Sequence, residues 1–261
     1  WKVARKDIRK LLDQHRNREA IKLTYDYIVA RKAAPDDHEY GMYLFLGGEY
    51  AWALKVYRDR LRDDPQREGI AYMNLAAIYR HYGKSKEAEA VLKEALKHPP
   101  KAPWHVPNAA KIHDRLGDLY AELGRKQDAL REYAEAMRLY PTAKLPWGRQ
   151  NLPKQVAKIQ SKVDLLNRGN GDFGALRDGV WRGSSLGYGK DVRVILNVRD
   201  GKVAHIKVNH QEHIEQHATT LIPAAIRKQQ SLDVDAVTAA TITSQAIIAA
   251  THQAAKRAGM K

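Results

Sequence analysis

A set of small, aromatic and proline residues recurs at near-constant spacing through the first 141 positions, and it restricts the fold more tightly than any other feature of the chain. In its clearest form it runs Leu116-Gly117, Tyr120, Gly124, Ala129, Tyr133, Ala136 and Pro141. Leu75, Ala76, Tyr79, Gly83, Ala88, Leu92, Ala95 and Pro100 form a second unit, and Tyr40, Gly41, Leu44, Gly48, Ala53, Tyr57 and Pro65 a third. Pro65 and Pro100 lie 35 residues apart, close to the roughly 34-residue period of repeated helix pairs. Pro100 and Pro141 lie 41 apart, so an insertion holding Pro99, Pro100, Pro103, Trp104 and Pro107 separates the last two units. Small residues let two helices approach closely, glycine opens the turn between them, and proline stops the second helix. A degenerate unit with Ala20 in its second helix is expected ahead of these three.

These positions resemble the tetratricopeptide repeat. Helix pairs of this kind cannot bury their apolar faces alone, so they stack into an array with a concave groove. The groove is read as a partner site; an array that only spaces or orients a neighbouring domain is the alternative. The resemblance implies no catalytic residue. Val156, Ile159, Val163 and Leu166 recur at helical spacing within 153–167 and predict a capping helix. Gly169-Asn170-Gly171-Asp172-Phe173-Gly174 follows as a glycine-rich boundary. The expected organisation is a helical array over 1–168, a linker over 169–175 and a second domain over 176–261.

A length of 261 residues suffices for two modest cores. With 44% hydrophobic and 29% charged residues the composition is that of an ordinary globular protein. No run of about 18 apolar residues is present, as a membrane-spanning helix would need. Trp1 in place of an initiator Met is read as the start of a processed or shortened chain, with any signal or anchor outside it. The absence of cysteine excludes a c-type haem, a disulfide framework, a thiolate zinc site and a thiol nucleophile within these residues. A formal net charge of +15 is read first as a well-solvated basic surface and otherwise favours acidic partners or anionic membrane surfaces. The basic segments lack the interleaved aromatics of a single-strand binder, so no nucleic acid is expected.

From Asp178 the hydrophobic period becomes alternating. Val192, Val194, Leu196 and Val198 alternate, Asp200-Gly201 intervenes, and Ala204, Ile206 and Val208 alternate again, which predicts a hairpin with a tight turn. A strand over 179–188 and helices over 218–230 and 243–258 complete a small α+β domain with a twisted antiparallel sheet. The fold class is therefore α+β overall, an all-α array followed by this domain. Thr241 falls just ahead of the last helix, where free N–H groups and the helix dipole favour a phosphate. Thr243 and Ser244 can cap that helix or bond phosphate oxygens.

Asp178-Gly179-Val180-Trp181-Arg182-Gly183, then Gly187-Tyr188-Gly189, then the hairpin, then the run from Ser231 to Ser244 resemble, in order, the FMN-binding domain family. That family includes the flavin-bearing subunits of sodium-pumping NADH:quinone reductase and the related Rnf complexes. Its motif, Asp-x-x-Ser/Thr-Gly-Ala-Thr, marks where a flavin transferase takes FMN from FAD and esterifies its phosphate to the last Thr. Asp235 matches the motif Asp, Thr238 the Ser/Thr, Ala240 the Ala and Thr241 the acceptor. Ala239 replaces the usual Gly: a need for a left-handed residue there would weaken transferase recognition, whereas a need only for a small residue, the reading preferred, leaves Ala239 sufficient. His210-Gln211-Glu212 matches a His-x-Glu element of the family, but His213-Ile214-Glu215 replaces the Thr-Pro-Gly that usually follows.

His205, His210, His213 and His217 are read first as solvated loop residues and second as flavin-side contacts, with no metal site expected. Trp181 and Tyr188 either flank the isoalloxazine ring or pack in the sheet core. The resemblance implies an extracytoplasmic electron-transfer module with covalent FMN, docked to a redox partner through its repeats and matured by a flavin transferase, and the basic surface is compatible with an anionic membrane nearby. The alternatives are a scaffold or assembly protein with a vestigial flavin domain, and a flavin reductase acting on a small molecule.

Overall fold

The computed structural model describes residues 1–27, 37–66, 69–168, 173–188, 190–210, 212, 214 and 216–260. It comprises two compact units, Trp1–Leu119 and Tyr120–Lys261. In the first, α1 (Lys2–Asp13) pairs with α2 (Asn17–Tyr25), α3 (Asp37–Leu46) with α4 (Tyr50–Asp63), and α5 (Gly69–His81) with α6 (Ser85–Lys97). Helix α7 (His105–Glu122) follows and runs through the division.

The turns explain the pairing. Gly48, Gly83 and Gly124 take left-handed φ values of +87°, +68° and +70° just past a first helix. The next N–H in each case reaches back five residues: Glu49 to the Leu44 carbonyl, Lys84 to Tyr79 and Arg125 to Tyr120, all at 2.8 Å. This is the Schellman closure, which satisfies a carbonyl that the helix end leaves open. The degenerate unit repeats it with His15 at φ +55° and Arg16 N–H on the Leu11 carbonyl at 2.9 Å. The expected first repeat is thus present, with a histidine where the others have glycine. Ala20, Ala53 and Ala88 are fully buried on the second helices of their pairs. At Gly41 an added Cβ would lie 2.7 Å from the Tyr57 ring, so the α3–α4 contact is glycine on tyrosine.

The second unit holds α8 (Lys126–Leu139), α9 (Leu152–Arg168), β1 (Gly179–Leu186), β2 (Asp191–Arg199), β3 (Lys202–Asn209), α10 (Ala218–Gln229) and α11 (Thr241–Arg257). The sheet is antiparallel in the order β1-β2-β3. Helix α11 packs on β1 and β2, and α10 on β3. The expected capping helix is α9, which packs on β1 and α11 as well as on α8. Residues 169–172 of the glycine-rich stretch lie outside the described residues, while Phe173 and Leu176 are buried in this unit's core.

Asp200 and Gly201 both have positive φ, +52° and +71°, the requirement of the type I′ hairpin turn. The Asp178 carboxylate accepts both their N–H groups, at 3.0 and 2.9 Å. Val192, Val194, Leu196 and Val198 are buried, as their alternation predicts. On β3 the expectation fails at one residue. A bulge opposite Asn197/Val198 pairs Val198 with Val203, so Val203 is buried and Ala204 is exposed. Gln230 stabilises this edge by accepting from Val203 N–H at 2.8 Å and donating to its carbonyl at 2.9 Å.

Helix α11 lies against the sheet through small residues. Ala246, Ala250, Ala254 and Ala255 are fully buried, and a Cβ at Gly183 would come within 2.0 Å of the Ala250 carbonyl oxygen. The neighbour is backbone and cannot move alone. Gly183→Ala should therefore cost about 2–3 kcal/mol, read as a lower urea midpoint of the sheet domain. His15→Gly should instead stabilise the first repeat by roughly 0.5–1 kcal/mol, read by the same measurement.

Candidate functional site

The motif segment crosses from the end of α10 to the start of α11. Leu232 is buried and anchors it, and Ser231 Oγ accepts from Asp233 N–H at 3.0 Å. A turn follows, closed by Ala240 N–H on the Val237 carbonyl at 3.0 Å. Thr238 and Ala239 are its central residues, and Ala239 has φ +66°. That is the place where a type II turn takes glycine. The position is left-handed, and Ala239 occupies it against its own preference, at a cost of about 1 kcal/mol.

Helix α11 opens at Thr241, so the expected acceptor is the first helical residue rather than the one ahead of it. Its N-cap, Ala240, provides no side-chain hydrogen bond, and the first turn holds no acidic residue. The leading N–H groups of an α-helix have no partner within the helix and carry the positive end of its dipole. A phosphate on Thr241 Oγ would supply the acceptor that the capping residue lacks. The donor set therefore fits the group.

The neighbouring hydroxyls are placed differently. Ser244 is fully buried, and its Oγ accepts from Val237 N–H at 3.0 Å. Thr243 is 6% exposed. The expected capping or phosphate role of Thr243 and Ser244 is thus corrected: the first is enclosed, and the second pins the motif turn onto the helix. Thr241 and Thr238 are half-buried, and Asp235 is exposed. Ala240 is buried at the junction.

A second feature lies at the end of the sheet. An open groove of about 800 Å³ is lined by Asn151 just before α9 and Lys154 within it, Leu186 at the end of β1, Tyr188 and Lys190 of the β1–β2 turn, Asp191 and Arg193 of β2, Asn209 at the end of β3, and His210 and Glu212 after it. A Cβ at Gly187 would lie 2.9 Å from the Lys190 carbonyl oxygen, which keeps that turn a glycine, and 3.1 Å from His210 Cε1. Glu212 is buried and accepts from the N–H groups of Gln216 at 3.2 Å and Ala218 at 3.0 Å, so it caps α10. Its role is to hold the loop, with His210 presented beside it. Lys154 Nζ meets both Asp191 oxygens at 2.9 Å.

The packing of α11 relates the two features. Arg177 N–H bonds the Ala258 carbonyl at 2.8 Å, while Gly183 faces Ala250. Helix and strand run in opposite directions, so the β1–β2 turn lies toward the Thr241 end of α11. Tyr188 and His210 share that end. Trp181 does not. Its Nε1 donates to the Arg177 carbonyl at 3.0 Å, its ring lies 5.0 Å from the Arg177 guanidinium, and it packs against the core. Strand direction sets it beyond Ala254, roughly 20 Å along the helix axis from Thr241. Of the two roles read for Trp181, flanking the ring or packing in the sheet core, the structure gives core packing. His213 lies outside the described residues, and among the described residues no three His, Cys, Asp or Glu side chains converge as a metal site. Lys154, Lys190 and Arg193 were not singled out from the sequence. The one available signal was Lys154 and Lys158, four apart on one face of α9.

Residues 187–256 match the FMN-binding domain, and residues 110–143 and 70–101 match the tetratricopeptide repeat. The photosystem I assembly protein Ycf3 of Synechococcus sp. (strain CC9902) is 32% identical over 98 residues, covering 37% of this chain and 57% of that protein. Its counterpart in Cyanophora paradoxa is 32% identical over 135 residues, covering 48% and 76%. The chain spans 49–61% of the length of the Synechococcus relatives. Among solved structures, MamA from Desulfovibrio magneticus RS-1 is 19% identical with a TM-score of 0.40, covering 64% of this chain and 95% of that one.

The turn geometry yields a paired expectation. Ala239→Gly should stabilise the sheet domain by about 1 kcal/mol and speed flavin attachment. Ser244→Ala should cost about 1–2 kcal/mol by orphaning the Val237 N–H and should slow attachment. Chemical denaturation and a time course of intact mass with a flavin transferase and FAD read both.

Proposed function

We propose that this chain, which belongs to the tetratricopeptide repeat proteins and carries an FMN-binding domain after its repeats, is an extracytoplasmic electron-transfer module with FMN held covalently on Thr241. The observation that carries this reading is the uncapped N-terminus of α11, with the half-buried hydroxyl of Thr241 as its first residue and the hydroxyls of Thr243 and Ser244 enclosed behind it. Thr241 Oγ would lose its proton and form the bond to the FMN phosphorus as AMP leaves FAD. The flavin then supplies redox chemistry, and the chain supplies attachment and orientation. Exposed Asp235 suits recognition by the transferase, and Thr238 lines the same turn. The repeats bind a protein partner, and the net charge of +15 favours one with an acidic surface. The extracytoplasmic placement follows from where flavin transferases of this kind act.

A second reading, a scaffold that assists assembly of a redox complex, draws on the strained Ala239 and on relatives that bear the name of assembly proteins. It predicts a colourless protein.

Thr241→Ala should give folded, colourless protein in the presence of a flavin transferase and FAD, while the parent gains the FMN mass and keeps its colour after denaturation. Peptide mapping that finds the flavin on Thr238, or a parent that gains no flavin, would refute covalent carriage on Thr241. Partner binding by the repeats should weaken steeply as added salt cuts the Debye length from about 10 Å to about 3 Å, measured by calorimetry. A salt-independent complex would remove the acidic partner.

A further inference from the structure

The groove at the end of the sheet has a wall that the FMN-binding domain match does not contain. That match covers residues 187–256, whereas Asn151 and Lys154 belong to the segment that follows the repeats. Helix α9 packs directly on β1 and α11, and it brings a second cation to this end. Lys158, one turn after Lys154, is only 5% exposed, and its ammonium donates to the Leu186 carbonyl at 3.4 Å. Leu186 itself lines the groove.

The charges there do not cancel. Asp191 is engaged by Lys154, and Glu212 by the N-terminus of α10. Lys190 and Arg193 have no ion-pair partner among the described residues and are exposed. At the mouth, Tyr188 stands 62% exposed. A groove of this size accommodates a planar cofactor ring, and it lies toward the end of the unit where α11 begins.

We propose that this groove seats the isoalloxazine ring of the flavin attached to Thr241, and that Lys154 of α9, with Lys190 and Arg193, sets the ring's reduction potential. The inference rests on the covalent-FMN reading. Reduction by two electrons with uptake of one proton leaves the ring one unit more negative than its oxidised form. Cations beside it therefore favour the reduced form. Low dielectric around the buried Lys158 strengthens its share. The helix that follows the repeats is thereby part of the redox site, and Lys154 acts as a potential-setting residue.

The test uses the full flavinylated chain, equilibrated with redox dyes and dithionite. Lys154→Met and Lys190→Met should each weaken the preference for the reduced flavin about tenfold, which is about 30 mV for a two-electron couple. Lys202→Met removes the same charge from the opposite end of the sheet and should leave the potential unchanged. Tyr188→Leu should brighten the flavin fluorescence by removing an aromatic quencher. Potentials unmoved in the Lys154 and Lys190 variants, an equal shift in Lys202→Met, or unchanged fluorescence in Tyr188→Leu would overturn the seating of the ring. A parent chain that takes up no flavin would instead overturn the reading beneath it. Because Lys154 and Lys190 are surface residues, loss of the fold does not obscure the result.

Discussion

The contact between α11 and β1 at Gly183 governs everything in the C-terminal unit. A helix that meets a sheet through glycine and a stripe of alanines sits closer than one held off by leucine or valine. Its axial position is then fixed by backbone against backbone, with Gly183 under the Ala250 carbonyl. That register determines where the first turn of α11 emerges, and so where the Thr241 hydroxyl stands relative to the sheet end. Ser244 completes the arrangement by tying Val237 to the helix. Thr241 is thus positioned by packing that begins two turns away from it.

The helical region uses backbone geometry in a different way. Four turns of the same construction follow four first helices, each with one left-handed residue and one back-reaching N–H. Identical turns give each second helix the same start, which lets alanines of consecutive pairs occupy equivalent places. Helix α9 then departs from this pattern. It follows α8, yet it also packs on β1 and α11. An element read as the cap of a scaffold is in contact with the sheet that carries the flavin motif.

The repeats were legible because glycine, alanine and proline mark backbone constraints directly, and His15 shows how far the pattern tolerates an imperfect residue. The hairpin was legible from alternation and from Asp200-Gly201. Thr241 was placed just ahead of the last helix by local pattern alone, and the fold makes it that helix's first residue. Trp181 was not legible in this way: its distance from Thr241 depends on the direction in which α11 crosses β1, which no local pattern contains. Ser244 was misread because a serine near a helix start is usually a cap, and only the folded turn brings Val237 N–H within reach. Ala204 was misread because a one-residue bulge reverses inside and outside. The groove was invisible for a similar reason, since its lining comes from α9, two strands and a loop.

The bracket that Gln230 places around Val203 has a consequence for life in a crowded solution. β3 ends the sheet, and the outer edge of a terminal strand offers unpaired amides and carbonyls to any passing chain. Gln230 occupies both backbone groups of Val203, the bulge twists the strand beside it, and α10 packs along it. A second molecule therefore finds neither a straight edge nor a free donor–acceptor pair at that point. The exposed charges of Lys202 and Lys207 on the same strand add repulsion between copies. A small sheet with only three strands is in this way kept from growing a fourth out of its neighbour.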